Sequence, residues 1–363
     1  MLASHRKRVG AILGLMGACA MGPLQSAHAQ SSVTLYGIVD ASLLYTNKTL
    51  DAATGQSAPH QYSFTDSGLS GSRFGMRGAE DLGGGMRAIF TLESGISVAN
   101  GSISNSNGNL FGRQAWVGID SHYGTVKAGL QFSPFFLAVY DVDPRDMSYF
   151  GSGLVTYLNN VYVTGLFNPN AISYTSPEIA GLQASALLAL GGTAGDFQAG
   201  RQYSASLRYH LGGFVVDAAL YSGNAGGSAA SLAIPSVVEF NGRALGASYT
   251  FSNLTVKASY VQYKVAGSFN DRVYSGGASY RITPALNVDA GVWVSRDANN
   301  SSNNSILASA GAEYSLSKAT TTYAQAGFVT NHGGMHTGLS VNNALNLATG
   351  TTAGVNIGIR HTF

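Results

Sequence analysis

The chain has 363 residues, 47 of them Gly, and is 45% hydrophobic but only 10% charged, where soluble domains carry roughly 25% charge. Beyond the first thirty residues no run of 18 apolar residues occurs, which argues against a helical membrane protein. The formal charge of +2 is too small for a nucleic-acid partner.

The first 29 residues read as a targeting segment. His5-Arg6-Lys7-Arg8 is a positive start, Val9–Met21 an apolar stretch, and Ala27-His28-Ala29 a small-x-small cleavage site. Residues 1–29 are therefore expected to be a signal peptide and 30–363 the mature chain. A lipoprotein reading of Met16-Gly17-Ala18-Cys19 competes, but the position before Gly17 is Met where Leu is usual. Removing the leader leaves 17 Lys+Arg against 18 Asp+Glu, a net −1, and no Cys. Stability must then come from something other than disulfides, and a closed hydrogen-bonded sheet suffices.

Alternation dominates after Ser31. In Val33–Tyr45, Val33, Leu35, Val39, Ala41, Leu43 and Tyr45 share one face, with Thr34, Tyr36, Asp40 and Ser42 on the other. Period two recurs over segments of about ten residues, long enough to cross a bilayer when tilted. Sixteen such segments are predicted, at 32–46, 69–81, 86–97, 111–120, 124–132, 170–177, 181–190, 202–210, 213–222, 242–252, 254–265, 272–283, 285–296, 305–316, 318–329 and 353–363. Every second connection is short (EDLGGG, DSHYG, PEIAG, HLGG, FSNL, ITPA, SLSKA). The others are longer and rich in Asn, Ser, Gly and Thr, the layout of an outer-membrane barrel. Apolar strand faces in lipid leave no tolerable open edge, so the sheet must close. The fold expected is all-β, a 16-stranded antiparallel transmembrane barrel whose interior takes Arg, Asp, Glu, Ser and Gly. Arg73 and Arg77 would face that interior, and Phe74 and Met76 the lipid or a neighbouring subunit. A soluble β-sandwich is the rival; it predicts more charge and loops of no systematic length.

One connection stands apart. Between Gln131 and Asn170 the chain is too long and apolar for a free surface loop, and its sheltered place is inward. Asp141, Asp143, Arg145 and Asp146 would then meet Arg73, Arg77 and Arg113 on the wall across a narrow aqueous neck, which screens solutes by size and sign. The bland alternative is a set of solvated loop charges.

The start SSVTLYGIVDASLLY, the segment SRFGMRGAEDLGGGMRAIFTLESGI, FGRQAWVGI and the ending GVNIGIRHTF together resemble the general-diffusion porins of Gram-negative bacteria. The resemblance covers Val33 to Phe363 and implies a trimeric sixteen-stranded barrel with its third loop, the long one, folded into the lumen. It implies a basic wall of Arg73, Arg77 and Arg113, an acidic constriction loop carrying Asp141 and Asp143, and a lumen acid at Glu93; beside it, the loop's own charge cluster adds Asp146 and Arg145, and alternation adds Lys127, as further lumen charge. The terminal Phe363, on one face with Val355, Ile357, Ile359 and His361, resembles the family's signal to the barrel assembly machinery. Two positions depart from relatives with basic residues there: Leu130 after Gly129, and Ile38 after Tyr36-Gly37. Both put strong anion selectivity in doubt and leave a weak or cation-leaning preference open.

Other chemistry finds no motif. GxSxG, HExxH and Walker sequences are absent, so no enzyme and no cofactor are expected; His332 and His336 share a loop without a nearby acid, so no metal site is either. A Ser–His outer-membrane lipase stays formally open. The reading is a passive outer-membrane channel for ions and small hydrophilic solutes, a homotrimer contacting lipopolysaccharide at its rim. The runner-up is a substrate-specific channel for sugars or small organic acids, with Tyr140, Tyr149, Phe150 and Trp293 as a stacking track. An adhesin displaying its outer loops is compatible with both. Alternation around Trp116 is untidy, leaving contact with lipid or a sister subunit undecided.

Overall fold

The computed structural model describes residues 32–161, 165–227 and 238–363; the leader expected at 1–29 lies outside them. Sixteen antiparallel strands close into one barrel. They are β1 (Ser32–Thr46), β2 in two pieces (Gln61–Asp66 and Arg73–Gly83), β3 (Met86–Gly95), β4 (Gln114–Ser121), β5 (Gly124–Gln131), β6 (Asn168–Thr175), β7 (Leu182–Ala189) and β8 (Gln202–Leu211). Then follow β9 (Phe214–Gly223), β10 (Phe240–Phe251), β11 (Leu254–Val265), β12 (Asn270–Arg281), β13 (Leu286–Asp297), β14 (Asn304–Ser315), β15 (Thr320–His332) and β16 (Gly350–Thr362). Each strand pairs with its sequence neighbours, and β16 returns to β1 with Ile38 opposite Thr362 and Thr46 opposite Gly354. Closure leaves no edge, which lipid demands.

The side chains alternate as the sequence suggests. Val33, Leu35 and Leu43 of β1 stand 61–66% exposed on the outer face, and Asp40, Ser42 and Leu44 between them are buried inside. Connections at one end are turns, such as 84–85, 212–213 and 252–253; at the other lie 47–60, 96–113, 132–167 and 333–349, although 266–269 is tight as well.

The second strand differs from expectation. Its upper piece, Gln61–Asp66, pairs with β1, and the chain leaves the sheet at 67–72 before resuming at Arg73. Asp40 causes the break. Its carboxylate accepts the backbone N–H groups of Gly68 (3.1 Å), Leu69 (3.0 Å) and Ser70 (2.7 Å), and the Tyr323 hydroxyl as well. Three backbone donors and a tyrosine hydroxyl on one buried carboxylate hold the DSGLSGS stretch inward.

The barrel seam also explains a glycine. Gly37 exchanges backbone hydrogen bonds with Phe363, N–H to O at 3.0 and 3.1 Å. A Cβ there would lie 2.3 Å from the Phe363 ring and 2.8 Å from the Arg73 carbonyl. Gly37→Val should therefore unseat Phe363 at a cost of about 1–3 kcal/mol. The check is the fraction of heat-modifiable barrel after refolding in detergent; an unchanged fraction would contradict this account of the seam.

Inside, the expectation of a polar interior holds only in part. The long connection after β5 holds two helices, α1 (Pro134–Val142) and α2 (Gly153–Val161). Ser133 caps α1 by accepting the Phe136 N–H, with Pro134 in the first turn, a standard helix start. Phe135 fills the space left by Gly242, and Val142 that left by Gly246. Around them Tyr157 of α2 and the inward-facing Tyr221, Phe240, Tyr263, Trp293, Leu307 and Val329 of β9–β15 form a buried apolar core. A hairpin in the last long connection, Thr337–Ser340 with Ala344–Asn346, joins it; Gly151 N–H donates to Leu339 O, and Val341 N–H to Tyr149 O, both at 2.8 Å.

Candidate functional site

The wall of the site begins with β1–β3. Tyr36, Arg73, Arg77 and Glu93 all lie on the inward face, Gly75 opposite both Tyr36 and Glu93. A side chain on Gly75 would collide with the Tyr36 ring, 2.7 Å from its Cζ; the bare position lets the Tyr36 hydroxyl donate to Glu93 at 3.0 Å. Glu93 also accepts Arg113 Nε at 2.8 Å and lies 3.6 Å from Arg73 Nε. One buried carboxylate thus serves two guanidinium groups. Among the described residues Arg77 has no carboxylate within ion-pair distance, and it stacks on Tyr36 at 5.5 Å. Ile38, across the ladder from Arg73, adds no charge.

Facing this wall, α1 presents its outer side. Phe135, Val139 and Val142 are buried, whereas Leu137 and Tyr140 are 48% and 43% exposed, and Tyr140 lies within the electrostatic reach of Arg73. Asp141 pairs with Arg208 of β8 at 2.6 Å; burial pushes its carboxyl up, and Arg208 and Lys257 pull it back. Asp146 pairs with Lys257 of β11 at 2.5 Å. Two chambers flank the helix. One of about 360 Å³ is lined by Trp116, Lys127, Asp141, Arg208 and Asp217; the other, about 450 Å³, by Tyr140, Asp146, Arg281, Glu313 and Arg360 and opens towards the 282–285 turn.

Several sequence expectations need correction here. Asp143 is 2% exposed and does not meet the wall arginines. It accepts the N–H groups of Arg145, Met147 and Gly153 and the Trp293 indole (3.1, 2.8, 2.8 and 3.1 Å), tying the loop to itself and to β13. Burial raises its carboxyl, against the pull of those donors. Arg145 is likewise no free lumen charge. Its guanidinium is buried against Asp289, the Gln325 amide oxygen (2.7 Å), Ser309 and the carbonyls of Phe150 and Gly151. Asp141 and Asp146 are near the aqueous space but paired to β8 and β11, not to Arg73, Arg77 or Arg113. Trp116 faces neither lipid nor a second subunit: Ala115 and Val117 point outward, and the indole lies under the Lys127 ammonium, 4.5 Å from the ring centre. The proposed stacking track fails too, because Phe150 and Trp293 are 0% and 2% exposed and Tyr149 is 8%. His336 spends its Nδ1 on Leu347 O at 3.1 Å.

Reading from sequence missed Tyr36, Arg208 and Lys257 as partners, although each stands on the polar side of a cleanly alternating strand. That signal marks them as inward; it does not say which loop carboxylate they meet.

Comparison with known proteins agrees with this architecture. The family described as Gram-negative porin matches residues 18–334. Outer membrane porin protein 32 of Delftia acidovorans is 30% identical, over 93% of this chain and 96% of that protein. An outer membrane porin protein of Bordetella pertussis is 33% identical over 47% of this chain, a match spanning 45% of that relative. Among solved structures, an anion-selective porin from Comamonas acidovorans superposes with a TM-score of 0.75 at 28% identity, covering 92% of this chain and all of that one. OmpT of Vibrio cholerae, in its trimer form, gives 0.65 at 14% identity, covering 92% and 99%. The chain belongs to the Gram-negative porin family and is a diffusion channel of the outer membrane.

Proposed function

We propose that the channel prefers anions and that its neck lies between the Arg73–Glu93–Arg113 cluster and the Leu137–Tyr140–Asp141 side of α1. The observation that carries this is the distribution of ion pairs. Each solvent-facing loop acid has its own basic partner, Arg208 for Asp141 and Lys257 for Asp146, whereas Arg73 and Arg113 share Glu93. Among the described residues Arg77, Lys127 and Arg281 have no ion-pair partner either, against one such inward acid beside the chambers, Asp217. The field along the passage is therefore net positive, the sign that admits anions. This reverses the cation-leaning option that Leu130 and Ile38 left open, and it agrees in sign with the Comamonas acidovorans neighbour's description.

In this reading passage is passive and without a binding track, since Tyr140 alone of the four aromatic candidates stands open to water. The trimer form of the Vibrio cholerae neighbour supports a homotrimer here. Phe363, 54% exposed at the seam, is offered as the residue the assembly machinery reads, and residues 1–29 as the exported leader.

Single-channel recording in a planar bilayer tests the proposal. Expected are conductance steps in groups of three that rise linearly with salt. Saturation of flux by a sugar or organic acid would favour a specific channel, and silence of a correctly inserted protein would refute an open pore. Acidification carries a further expectation. Because burial raises the Asp141 carboxyl, lowering the pH should neutralise it before an ordinary aspartate and release Arg208. Anion preference should then increase, and Asp141→Asn should show part of that preference already at pH 7 and respond less to acid than the parent.

A further inference from the structure

Three long connections meet on the long-loop side of the neck. The segment 103–108, the helical insert and the hairpin of the last connection enclose a cleft of about 310 Å³. Its walls divide by chemistry. Leu154, Leu158, Leu166, Phe167, Val341 and Leu345 make an apolar side that continues into the buried core. Among the described residues lining the cleft, Arg113 is the only charged group; the other polar ones, such as Asn105 and Ser106, are neutral.

The chain does not use up the Arg113 guanidinium. A guanidinium carries five N–H donors. Here Nε donates to Glu93 at 2.8 Å, Nη1 to Asn105 O at 3.3 Å, and the Tyr149 hydroxyl shares a further hydrogen bond. Donors are left over for a ligand. The same guanidinium stands 5.9 Å from the centre of the Phe167 ring, so cationic and apolar walls meet at one corner.

This pairing of walls selects the ligand. A cation with no acid beside it in the cleft favours an anion. A hydrated inorganic anion gains nothing from six apolar side chains, whereas an organic anion buries its apolar body against them. Glu93 shared between Arg73 and Arg113 leaves an excess of about one positive charge, which a single carboxylate cancels while meeting the guanidinium in charge-assisted hydrogen bonds. Size narrows it further. A cavity of about 150 Å³ holds one benzene molecule, so roughly twice that volume takes one ring with a short acidic side chain.

We propose that this cleft binds a small aromatic monocarboxylate, its carboxylate on Arg113 and its ring against Phe167 and the leucines. The site lies beside the passage. A carboxylate held there cancels the positive excess of the Arg73–Glu93–Arg113 cluster and lowers the chloride preference; that consequence, unlike the binding itself, rests on the neck placed above.

The test is isothermal titration calorimetry of the full-length protein in neutral detergent, with phenylacetate as the probe. Acetate, which lacks the ring, and phenylacetamide, which lacks the charge, should each bind at least tenfold more weakly. Leu345→Trp, which fills the cleft without changing its charge, should weaken phenylacetate binding at least tenfold, and Leu158→Gln, on another wall, should weaken it in the same direction. Both variants should keep the heat-modifiability and the zero-current potential of the parent in potassium chloride alone, which separates loss of the site from loss of the fold or pore. Phenylacetate bound equally by the parent and both variants would overturn the proposal. So would acetate binding as tightly as phenylacetate, which would leave only an ion site, or phenylacetamide doing so, which would leave Arg113 without a part. Cleft-dependent binding should also move the parent's zero-current potential towards zero when phenylacetate is added equally to both sides. Such binding without that movement would keep the cleft and contradict the placing of the neck.

Discussion

Replacing Arg145 by Ala should loosen the helical insert and destabilise the barrel together. Arg145 reaches Asp289 on β13, Ser309 on β14 and Gln325 on β15, and also holds the Phe150 and Gly151 carbonyls of its own loop. Its removal leaves Asp289 without its cation in a site where the side chain is 8% exposed. Breaking a buried pair from one side typically costs about 3–5 kcal/mol. The expected results are a lower temperature for loss of the unboiled-gel form and single-channel currents that are larger and noisier. Asp289→Ala in the same chain should recover part of the stability, since the orphaned charge is then gone; this coupling is read from a double-mutant cycle. Parental stability and quiet currents in Arg145→Ala would mean that the apolar core alone holds the insert.

The second large effect concerns sign. Glu93 balances one of its two arginines, so the cluster is net positive by about one charge. Arg73, with a side chain 27% exposed, is the more accessible of the pair; Arg113 is 11% exposed. One charge 4 Å from a passing ion is worth about 1 kcal/mol in bulk water, about a fivefold change in local ion concentration. Arg73→Ala should reduce the anion preference accordingly, less so at high salt where screening shortens the reach. Arg73→Ala combined with Arg113→Ala leaves Glu93 facing only Arg77 on this wall and should remove most of the anion preference. Bi-ionic or salt-gradient potentials measure both. A double variant as anion-preferring as the parent would move the selectivity filter elsewhere, with Lys127, Arg208 and Arg281 the next groups to examine.

The barrel was legible in the sequence because its outer face obeys one rule over sixteen strands: residues such as Val33, Leu35, Leu43, Ile357 and Ile359 recur at period two. Strand ends were legible to within a few residues, apart from β2. There the turn chemistry of DSGLSGS depends on Asp40, about thirty residues away, and a window along the chain contains no sign of that partner. The inner core was partly legible in retrospect. Leu220-Tyr221, Val292-Trp293-Val294, Ile306-Leu307 and Phe328-Val329 are apolar on both faces, and each marks where the helical insert covers the wall. Loop charges were not legible at the level of roles. Asp141, Asp143 and Asp146 are neighbours in sequence but face β8, the loop itself and β11, because a helix ends at Val142 and the backbone turns through positive φ at Asp146 and Met147. Three acids in six residues therefore look like one cluster and act as three separate contacts.

The measurement that bears most directly on the pore is the zero-current potential of the purified protein across a potassium chloride gradient at neutral pH. A sign corresponding to chloride crossing more readily than potassium is expected, from Glu93 shared between Arg73 and Arg113 and from loop acids each neutralised by its own base. A potential of the opposite sign would mean that Asp141 and Asp146 dominate the passage in spite of Arg208 and Lys257, and would contradict the assignment of the neck.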